Sequence, residues 1–464
     1  MTDATDELPG AEHRPFTRRY RGYFLALMVT ISALSVIDRV ALPTVGQAIK
    51  LDLKLTDLQF GLISGFGFAL LYAILGLPLA RIADTKSRVR MVSIAVAVWS
   101  AFALLSGLAR NFIQLMVCRL LIGIGEAGVQ PPTISVISDL YPPKKRGAAL
   151  AILSIGIPIG ALAGSSAAGY LTQLYSWRVV FLLLGAPGLL LAIVAWLTLR
   201  EPLRGLSERK TNETGPAPGV VAVFRHLAVK PSFWHVLMAV AVTNFASAGI
   251  GQFLPQYFAR VYTTLGPGLI GVLYGAVGAA STLVGTVSGG YLVDWASHRD
   301  ERWYAWLPGI GVLLGAPMYV LAFVLPNPIA ATAALTVGGC LMYLHYTPAQ
   351  VILQNMVEPR MRATAAFIFY FVASMVGLGL GPALFGFASD QFAQHAFTAG
   401  SYGALCPGGA AMAGSAPEMA HACRAASAAG IRGAMVCASC LFFWSMAHFF
   451  LAARTVRNDL TPST

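Results

Sequence analysis

Long apolar runs separated by short polar connections repeat along the whole 464-residue chain. A run of about 20 apolar residues spans the hydrocarbon core of a bilayer as a helix. Twelve runs reach that length, at 21–46, 58–82, 91–109, 112–137, 147–171, 178–199, 233–258, 267–293, 304–325, 329–354, 361–388 and 431–453. The pattern therefore predicts an all-α membrane protein with twelve transmembrane helices.

A polar stretch divides the twelve runs six and six. It covers residues 201–232, includes Gly215-Pro216-Ala217-Pro218, and is predicted to be a linker on the side of the two termini. We therefore expect a six-helix bundle at 21–200, a second at 233–453, and polar tails at 1–20 and 454–464. Arg225 and Lys230 of the linker could lie on a helix along the membrane surface or be fully solvated.

The composition agrees with a protein surrounded by lipid. Hydrophobic residues make up 56% of the chain and charged residues 11%, with a mean hydropathy of +0.67, whereas soluble proteins carry roughly 25% charged residues. The net charge of +12 could suggest a nucleic-acid partner. The distribution of the cations favours a membrane orientation signal instead. Of the 32 Lys and Arg residues, 23 fall in connections on the side of the termini and seven on the opposite side. This bias predicts that both termini are cytoplasmic.

Four charged residues are predicted to lie well inside the spans, namely Asp38, Arg39, Arg119 and Glu126. Arg119 and Glu126 are seven positions apart, so they share one helix face about 10 Å apart along the axis. Asp38 and Arg39 are adjacent and point about 100° apart. One of this second pair is therefore expected to face a cavity while the other meets the fourth helix.

Charge at bilayer depth usually marks a substrate or proton path. Arg does not give up its proton, so a carboxylate must carry any exchangeable one. We therefore interpret Asp38 and Glu126 as proton carriers, and Arg39 and Arg119 as substrate-binding groups or counter-charges. The alternative is a static ion-pair network that only fixes the helices in place.

Polar candidates in the second half carry no fixed charge. They are Asn244, Tyr343 and His345, followed by Gln252, Gln256, Gln350, Gln354 and Asn355, while the aromatic run Phe367, Phe369, Tyr370 and Phe371 is expected to pack against neighbouring helices. Two Arg residues facing amides and aromatic rings suit an anionic head attached to an apolar tail. The substrate is accordingly predicted to be an anionic or zwitterionic amphiphile.

Matching turns follow the second span and the eighth span. The first contains Gly76, Asp84, Arg88 and Arg90, and the second contains Gly290 and Asp294 before further Arg residues. An Asp at such a turn can meet the positive end of a neighbouring helix. The alternative is a turn whose charges only follow membrane topology.

These motifs resemble the major facilitator superfamily of transporters. The turn from Asp84 to Arg90 is similar to the loop after the second helix of that superfamily, with Ser87 where glycine is common. The glycine-rich stretch from Gly156 to Gly169 is similar to its fifth helix. Asp38-Arg39, Arg119 with Glu126, and the stretch from Asp139 to Arg146 resemble the spinster family of lysolipid and sphingolipid transporters. The resemblance implies two pseudo-symmetric six-helix bundles that alternate access to a central site, with Gly76, Asp84, Arg88, Arg90, Arg146, Gly290 and Asp294 gating the cytoplasmic side.

The sequence thus predicts a proton-coupled secondary transporter of a lysophospholipid or sphingoid phosphate. Small organic anions such as sugar acids or sugar phosphates are the alternative substrates. A non-transporting lipid receptor and an intramembrane enzyme are the other classes, and the phosphate-loop, zinc-protease and serine-hydrolase motifs are missing from the sequence. We expect no metal, no cofactor beyond the proton gradient, a monomer, and a place in the inner (plasma) membrane.

One further question concerns the six cysteines. Cys406 and Cys423 lie in the connection 391–432 on the side opposite the termini. They could form a disulfide in an oxidising compartment, but their spacing alone leaves this open.

Overall fold

The computed structural model describes residues 16–203 and 219–460. Within these ranges, twelve helices are long and apolar enough to cross a membrane, which confirms the predicted architecture. They are α1 (Arg18–Thr44), α2 (Asp57–Gly76), α3 (Arg88–Ser106), α4 (Phe112–Leu140), α5 (Pro143–Leu174), α6 (Trp177–Thr198), α7 (Pro231–Val261), α8 (Pro267–Ser297), α9 (Trp303–Val324), α10 (Pro328–Asn355), α11 (Thr364–Ala396) and α12 (Pro417–Asp459).

Side chains at the helix starts explain several of these boundaries. The Thr56 hydroxyl accepts a hydrogen bond from the Gln59 N–H, and the Gln59 side chain accepts one from the Thr56 N–H, which forms a capping box before α2. The side chains of Ser87, Asn111 and Ser176 cap α3, α4 and α6, each by accepting one hydrogen bond from a backbone N–H of the first turn. These caps fix which residue begins each helix.

Four membrane helices are interrupted. α4 breaks between Ala127 and Gln130, and α10 breaks between Tyr343 and Tyr346, at equivalent places in the two halves. α2 and α11 each contain a π-helical turn, at Leu62–Phe66 and Met375–Leu380. Such turns often occur at functional positions, and here they lie where α2 and α11 touch across the two halves.

Both ends of the described chain lie on one side of the bundle, which we call the terminal side. The Tyr20 hydroxyl accepts a hydrogen bond from the Arg200 N–H there, and Lys230 donates to the carbonyl of Asp459. We call the opposite side, where α1 turns into α2, the distal side. Helix Val220–Ala228 of the linker also lies on the terminal side, with Val223 and Leu227 buried. Its His226 contacts the Met356 carbonyl, so this part of the linker packs on the second half.

The distal connection between α11 and α12 is shorter than the sequence pattern predicts. α12 begins at Pro417 rather than near residue 431, and the segment before it contains a short helix, Tyr402–Leu405. Cys406 and Cys423 form a disulfide that ties this segment to α12. The question left open by the spacing is therefore answered, and both cysteines are buried.

Candidate functional site

The four charges at depth form two ion pairs between α1 and α4. Arg119 donates to Asp38 through Nη1 at 3.1 Å, and Arg39 donates to Glu126 through Nε at 2.5 Å. The neighbouring residues Asp38 and Arg39 of α1 thus bind different turns of α4, because Arg119 and Glu126 lie nearly two turns apart. As expected, Asp38 meets the fourth helix and Arg39 faces a cavity, but Arg39 also binds the fourth helix through Glu126.

The two pairs differ in their access to solvent. Asp38, Arg119 and Glu126 are each 3% exposed, whereas the Arg39 side chain is 41% exposed. Arg39 lines a cavity of about 170 Å³ together with Glu126 and Tyr72. Its guanidinium carbon lies 4.9 Å from the ring centre of Phe68 and 5.5 Å from that of Tyr72. The Arg39–Glu126 pair is therefore the one that a small molecule can reach.

The candidates Asn244, Tyr343 and His345 line a second cavity, which is formed mainly by the second half of the molecule. It has a volume of about 320 Å³ and carries three further hydroxyl groups, from Tyr274, Tyr319 and Tyr346. His345 lies in the break of α10, with Nδ1 2.6 Å from the Met342 carbonyl oxygen. Val40 of α1 also lines this cavity, so α1 separates it from the Arg39 cavity. Gln256 lies elsewhere, fully buried with its amide against Gly46 of the first half.

The predicted gating residues on the terminal side make contacts within the first half. Buried Arg88 donates to Asp139 and Ser135 of α4, to the Glu201 carboxylate at 2.8 Å and to the Pro202 carbonyl at 2.9 Å. Glu201 accepts from the Val89 N–H at the start of α3. Burial alone would raise the pKa of Glu201, but the hydrogen bonds from Val89, Arg88 and Ser87 lower it below its ordinary value.

The remaining gating candidates are held less tightly. Arg146 donates to the Ser138 and Tyr141 carbonyls. Arg90 is exposed, and its guanidinium carbon lies 6.0 Å from the centre of the Trp196 ring. Asp294 is also exposed. A Cβ on Gly76 would meet nothing within 4 Å, and one on Gly290 would lie 3.7 Å from Thr347, so neither glycine is required by close packing. The Asp84 side chain lies outside the described residues.

A buried charged cluster on the distal side joins the two halves. We define this distal cluster as Lys50, Asp57, Arg260, Ser389 and Asp390. The Asp57 carboxylate accepts two hydrogen bonds from Arg260, at 2.7 and 2.8 Å, one from Lys50 at 2.5 Å and one from Ser389 at 2.7 Å. Asp390 accepts from the N–H groups of Asp57 and Leu58 at 3.0 and 2.9 Å, and so caps the start of α2 from the other half.

Sequence reasoning did not identify this cluster. Asp57 is the first residue of α2 and Arg260 lies one residue before the end of α7, and both side chains are buried although they stand at helix ends. The capping pattern Thr56-Asp57-Leu58-Gln59 does mark a helix start one residue earlier than the apolar run. It places Asp57 in the helix but does not reveal its partners.

Close backbone contacts show where the halves meet. A Cβ on Gly61 would lie 2.1 Å from the Pro382 carbonyl oxygen, one on Gly386 would lie 2.1 Å from that of Asp57, and one on Gly271 would lie 2.2 Å from that of Ser165. These positions belong to the distal parts of α2, α5, α8 and α11. The distal side is therefore closed in this structure.

The sequence and the fold match known transporters. The model of the Major Facilitator Superfamily matches residues 24–382. A crystal structure of a bacterial homologue of the human lysosomal transporter Spinster, in an inward-facing and unoccupied conformation, superposes with a TM-score of 0.87 at 32% identity and covers 97% of this chain and 100% of that one. Its conformation agrees with the closed distal side.

Three relatives of the chain differ in the activities for which they are named. An MFS-type efflux pump of Mycolicibacterium smegmatis is 29% identical, over 79% of this chain and 84% of the relative. A probable L-galactonate transporter of Escherichia coli is 26% identical, over 82% and 85%. The sphingosine-1-phosphate transporter SPNS2 of Danio rerio is 24% identical, over 78% and 75%. The chain therefore belongs to the major facilitator superfamily, in its spinster-like group, and is a multi-pass membrane transporter of the alternating-access type rather than an enzyme.

Proposed function

We propose that this transporter couples an anionic or zwitterionic amphiphile to proton movement, with Asp38 and Glu126 as proton carriers. The observation that carries the proposal is the Arg39–Glu126 pair, in which a buried carboxylate holds a guanidinium that faces a cavity. Arg keeps its proton, so Glu126 is the member of the pair that can exchange one. The deeper Asp38–Arg119 pair provides the second carboxylate.

Arg39 can serve either Glu126 or a substrate anion. When Glu126 takes up a proton it loses its charge, and its attraction for the guanidinium falls. The fork of N–H donors on Arg39 is then available for a phosphate or carboxylate. Proton binding and substrate binding are linked in this scheme because both act on the same guanidinium.

The surroundings of Arg39 favour an amphiphile. The rings of Phe68 and Tyr72 lie beside the guanidinium, and Val36, Leu153 and Ile157 line the same cavity. An anionic head can therefore bind next to an apolar wall that suits a hydrocarbon tail. The similarity to a sphingosine-1-phosphate transporter supports this substrate class.

A specific observation also favours small sugar acids as an alternative. The cavity of the second half carries four Tyr residues together with Asn244 and His345. Hydroxyl and amide groups of this kind match the hydroxyls of a sugar, and a relative is a probable L-galactonate transporter. In this alternative, the sugar acid would bind in this cavity, which α1 separates from Arg39.

The proposal includes the setting of the protein. The excess of Lys and Arg in the connections on the terminal side supports a cytoplasmic location for that side. We further propose a monomer in the inner (plasma) membrane that needs no metal or cofactor beyond the proton gradient. Arg88, Arg90, Arg146, Gly76, Gly290, Asp84 and Asp294 would gate the cytoplasmic side in the opposite conformation.

Flux into proteoliposomes tests the proposal. Lysophospholipids, sphingoid phosphates and sugar acids are compared with and without an imposed pH gradient. Glu126→Gln and Asp38→Asn should each reduce gradient-driven flux at least tenfold, while Glu418→Gln, which changes an exposed acid at the start of α12, should leave it unchanged.

Other results would redirect the proposal. Unchanged gradient-driven flux in both carboxylate variants would remove proton coupling through these residues. Preference for sugar acids over every lysolipid would select the alternative substrate. Binding without flux in sealed vesicles would indicate a receptor.

A further inference from the structure

The segment between α11 and α12 is fixed firmly to the second half. The Cys406–Cys423 disulfide joins it to α12 with a Cα–Cα distance of 5.6 Å. The Gln394 side chain of α11 accepts from the Tyr402 N–H at 2.8 Å and donates to the Gly400 carbonyl at 3.0 Å. Tyr402 and both cysteines are buried in a small apolar cluster with Phe397 and Ala426. Residues 402–409 therefore move with the second half.

The same segment touches the first half through two glycines. Gly408 has φ +71°, and a Cβ there would lie 2.9 Å from the Lys50 carbonyl oxygen and 3.2 Å from the Lys54 Cα. Gly409 has φ +89°, and its Cβ would lie 3.5 Å from Lys50 Nζ. Glycine permits both the positive φ angles and this close backbone approach. The turn thus rests directly on the short helix Gly46–Leu53, which follows α1.

This contact covers part of the distal cluster. Lys50 is 1% exposed, although it lies outside the membrane helices in a short distal helix. Its ammonium group binds Asp57, which also binds Arg260 of the second half. An ion pair kept from water is stronger than the same pair in water. A cover that excludes water therefore strengthens the closed distal side.

We propose that residues 402–409 form a moving part of the distal gate, held in docking position by the Cys406–Cys423 disulfide. The segment covers the Lys50–Asp57 pair when the distal side is closed. It must leave helix Gly46–Leu53 when that side opens, because segment and helix belong to different halves. Reduction of the disulfide loosens the cover and weakens closure. The inference requires alternating access, but neither proton coupling nor a particular substrate.

Hydrogen–deuterium exchange of the full chain in lipid nanodiscs tests the inference. Oxidised protein is compared with protein treated with a phosphine reductant and with a Cys406→Ser/Cys423→Ser double variant. Both treatments should speed exchange at least threefold in residues 46–53 and in the first turn of α2, as well as in residues 402–409. Faster exchange confined to residues 402–417 would overturn the inference, because the disulfide would then only stabilise the second half.

Two glycine variants separate docking from backbone strain. Gly408 and Gly414 both have positive φ, at +71° and +87°, but a Cβ on Gly414 would meet nothing within 4 Å. Gly408→Ala should speed exchange at residues 46–53 at least threefold with the disulfide intact, and Gly414→Ala should not. An equal response of both variants, or of neither, contradicts docking through Gly408. If Gly408→Ala does not fold, the cysteine variant still decides the question.

Discussion

Replacing Arg260 by Gln should open the distal side. Arg260 of α7 holds the Asp57 carboxylate of α2 with two hydrogen bonds, at 2.8 and 2.7 Å, and donates to the Gln47 side chain at 2.8 Å. Both of these partners belong to the other half. The side chains of Arg260 and Asp57 are only 4% and 3% exposed. The variant therefore removes a buried charge–charge contact that exists only while the distal side is closed.

The size of the effect follows from what remains around Asp57. Removing one partner of a buried ion pair costs about 3–5 kcal/mol. Lys50 and Ser389 still donate to Asp57, at 2.5 and 2.7 Å, so we expect a smaller cost of about 2–3 kcal/mol on the closed state. In the open state water replaces these contacts, and the cost is small. At 1.4 kcal/mol per factor of ten, the equilibrium should shift about 30- to 150-fold toward the distal-open conformation.

Single-molecule energy transfer in nanodiscs measures this shift. Dyes attached through noncanonical residues at Leu108 and Ile329, which are 56% and 60% exposed at distal ends of the two halves, report their separation without using cysteine. The Arg260→Gln variant should populate a more separated distal state than the parent protein.

Arg178→Gln is the matched control. Arg178 also pairs with an Asp on the distal side, at 2.5 Å from Asp52, but both residues belong to the first half and their side chains are 35% and 44% exposed. Exposed pairs contribute about 0–1 kcal/mol, so the distance distribution should not change. An unchanged distribution in Arg260→Gln, or equal changes in both variants, would refute the assignment of the distal cluster as a gate.

Two other variants test neighbouring contacts. Gly386→Ala places a Cβ 2.1 Å from the Asp57 carbonyl oxygen and should increase the distal-open population in the same assay, whereas Gly147→Ala, whose Cβ meets nothing within 4 Å, should not. Glu201→Gln should lower the free energy of unfolding at pH 7 by on the order of 1 kcal/mol, and so lower the melting temperature. Because the pKa of folded Glu201 lies below its ordinary 4.5, its contribution is present above about pH 4.5 and lost as the pH falls through the lowered value. The difference in melting temperature between parent and variant should therefore shrink as the pH falls below 4.5, and a difference that stays constant as the pH falls would contradict this role.

The helices and the central ion pairs could be predicted because their signals are local. A bilayer requires about 20 apolar residues per helix, and this requirement alone identifies twelve spans. Asp38 and Glu126 stand out because apolar residues surround them on both sides in the sequence. Which acid pairs with which Arg could not be derived, since it depends on how α1 is rotated against α4. The rotation that forms both pairs became visible only in the structure.

The distal cluster had no comparable signal. Asp57 lies 203 positions from Arg260 and 333 from Asp390. Each of these charges stands near the end of an apolar run, where a charge facing water and a charge buried between two halves look the same in the sequence. Their burial arises from how the two halves pack. The capping pattern around Thr56 is a local signal that Asp57 begins a helix, but it says nothing about the partners of Asp57.

One continuous element connects the proposed proton site to the distal cluster. α1 carries Asp38 and Arg39, and only Val45 separates it from helix Gly46–Leu53, which carries Lys50. Backbone hydrogen bonds bridge this junction, from the Val45 N–H to Ala41 and from the Ile49 N–H to Val45. At 1.5 Å per residue, Arg39 and Lys50 lie about 16 Å apart along this path. Under the proposed coupling, protonation of Glu126 frees α1 from one of its two ion pairs with α4, and a shift of α1 necessarily carries Lys50 with it. Coupling between the two sites then requires no relay of side chains, because the helices that carry them are joined through Val45 and its backbone hydrogen bonds.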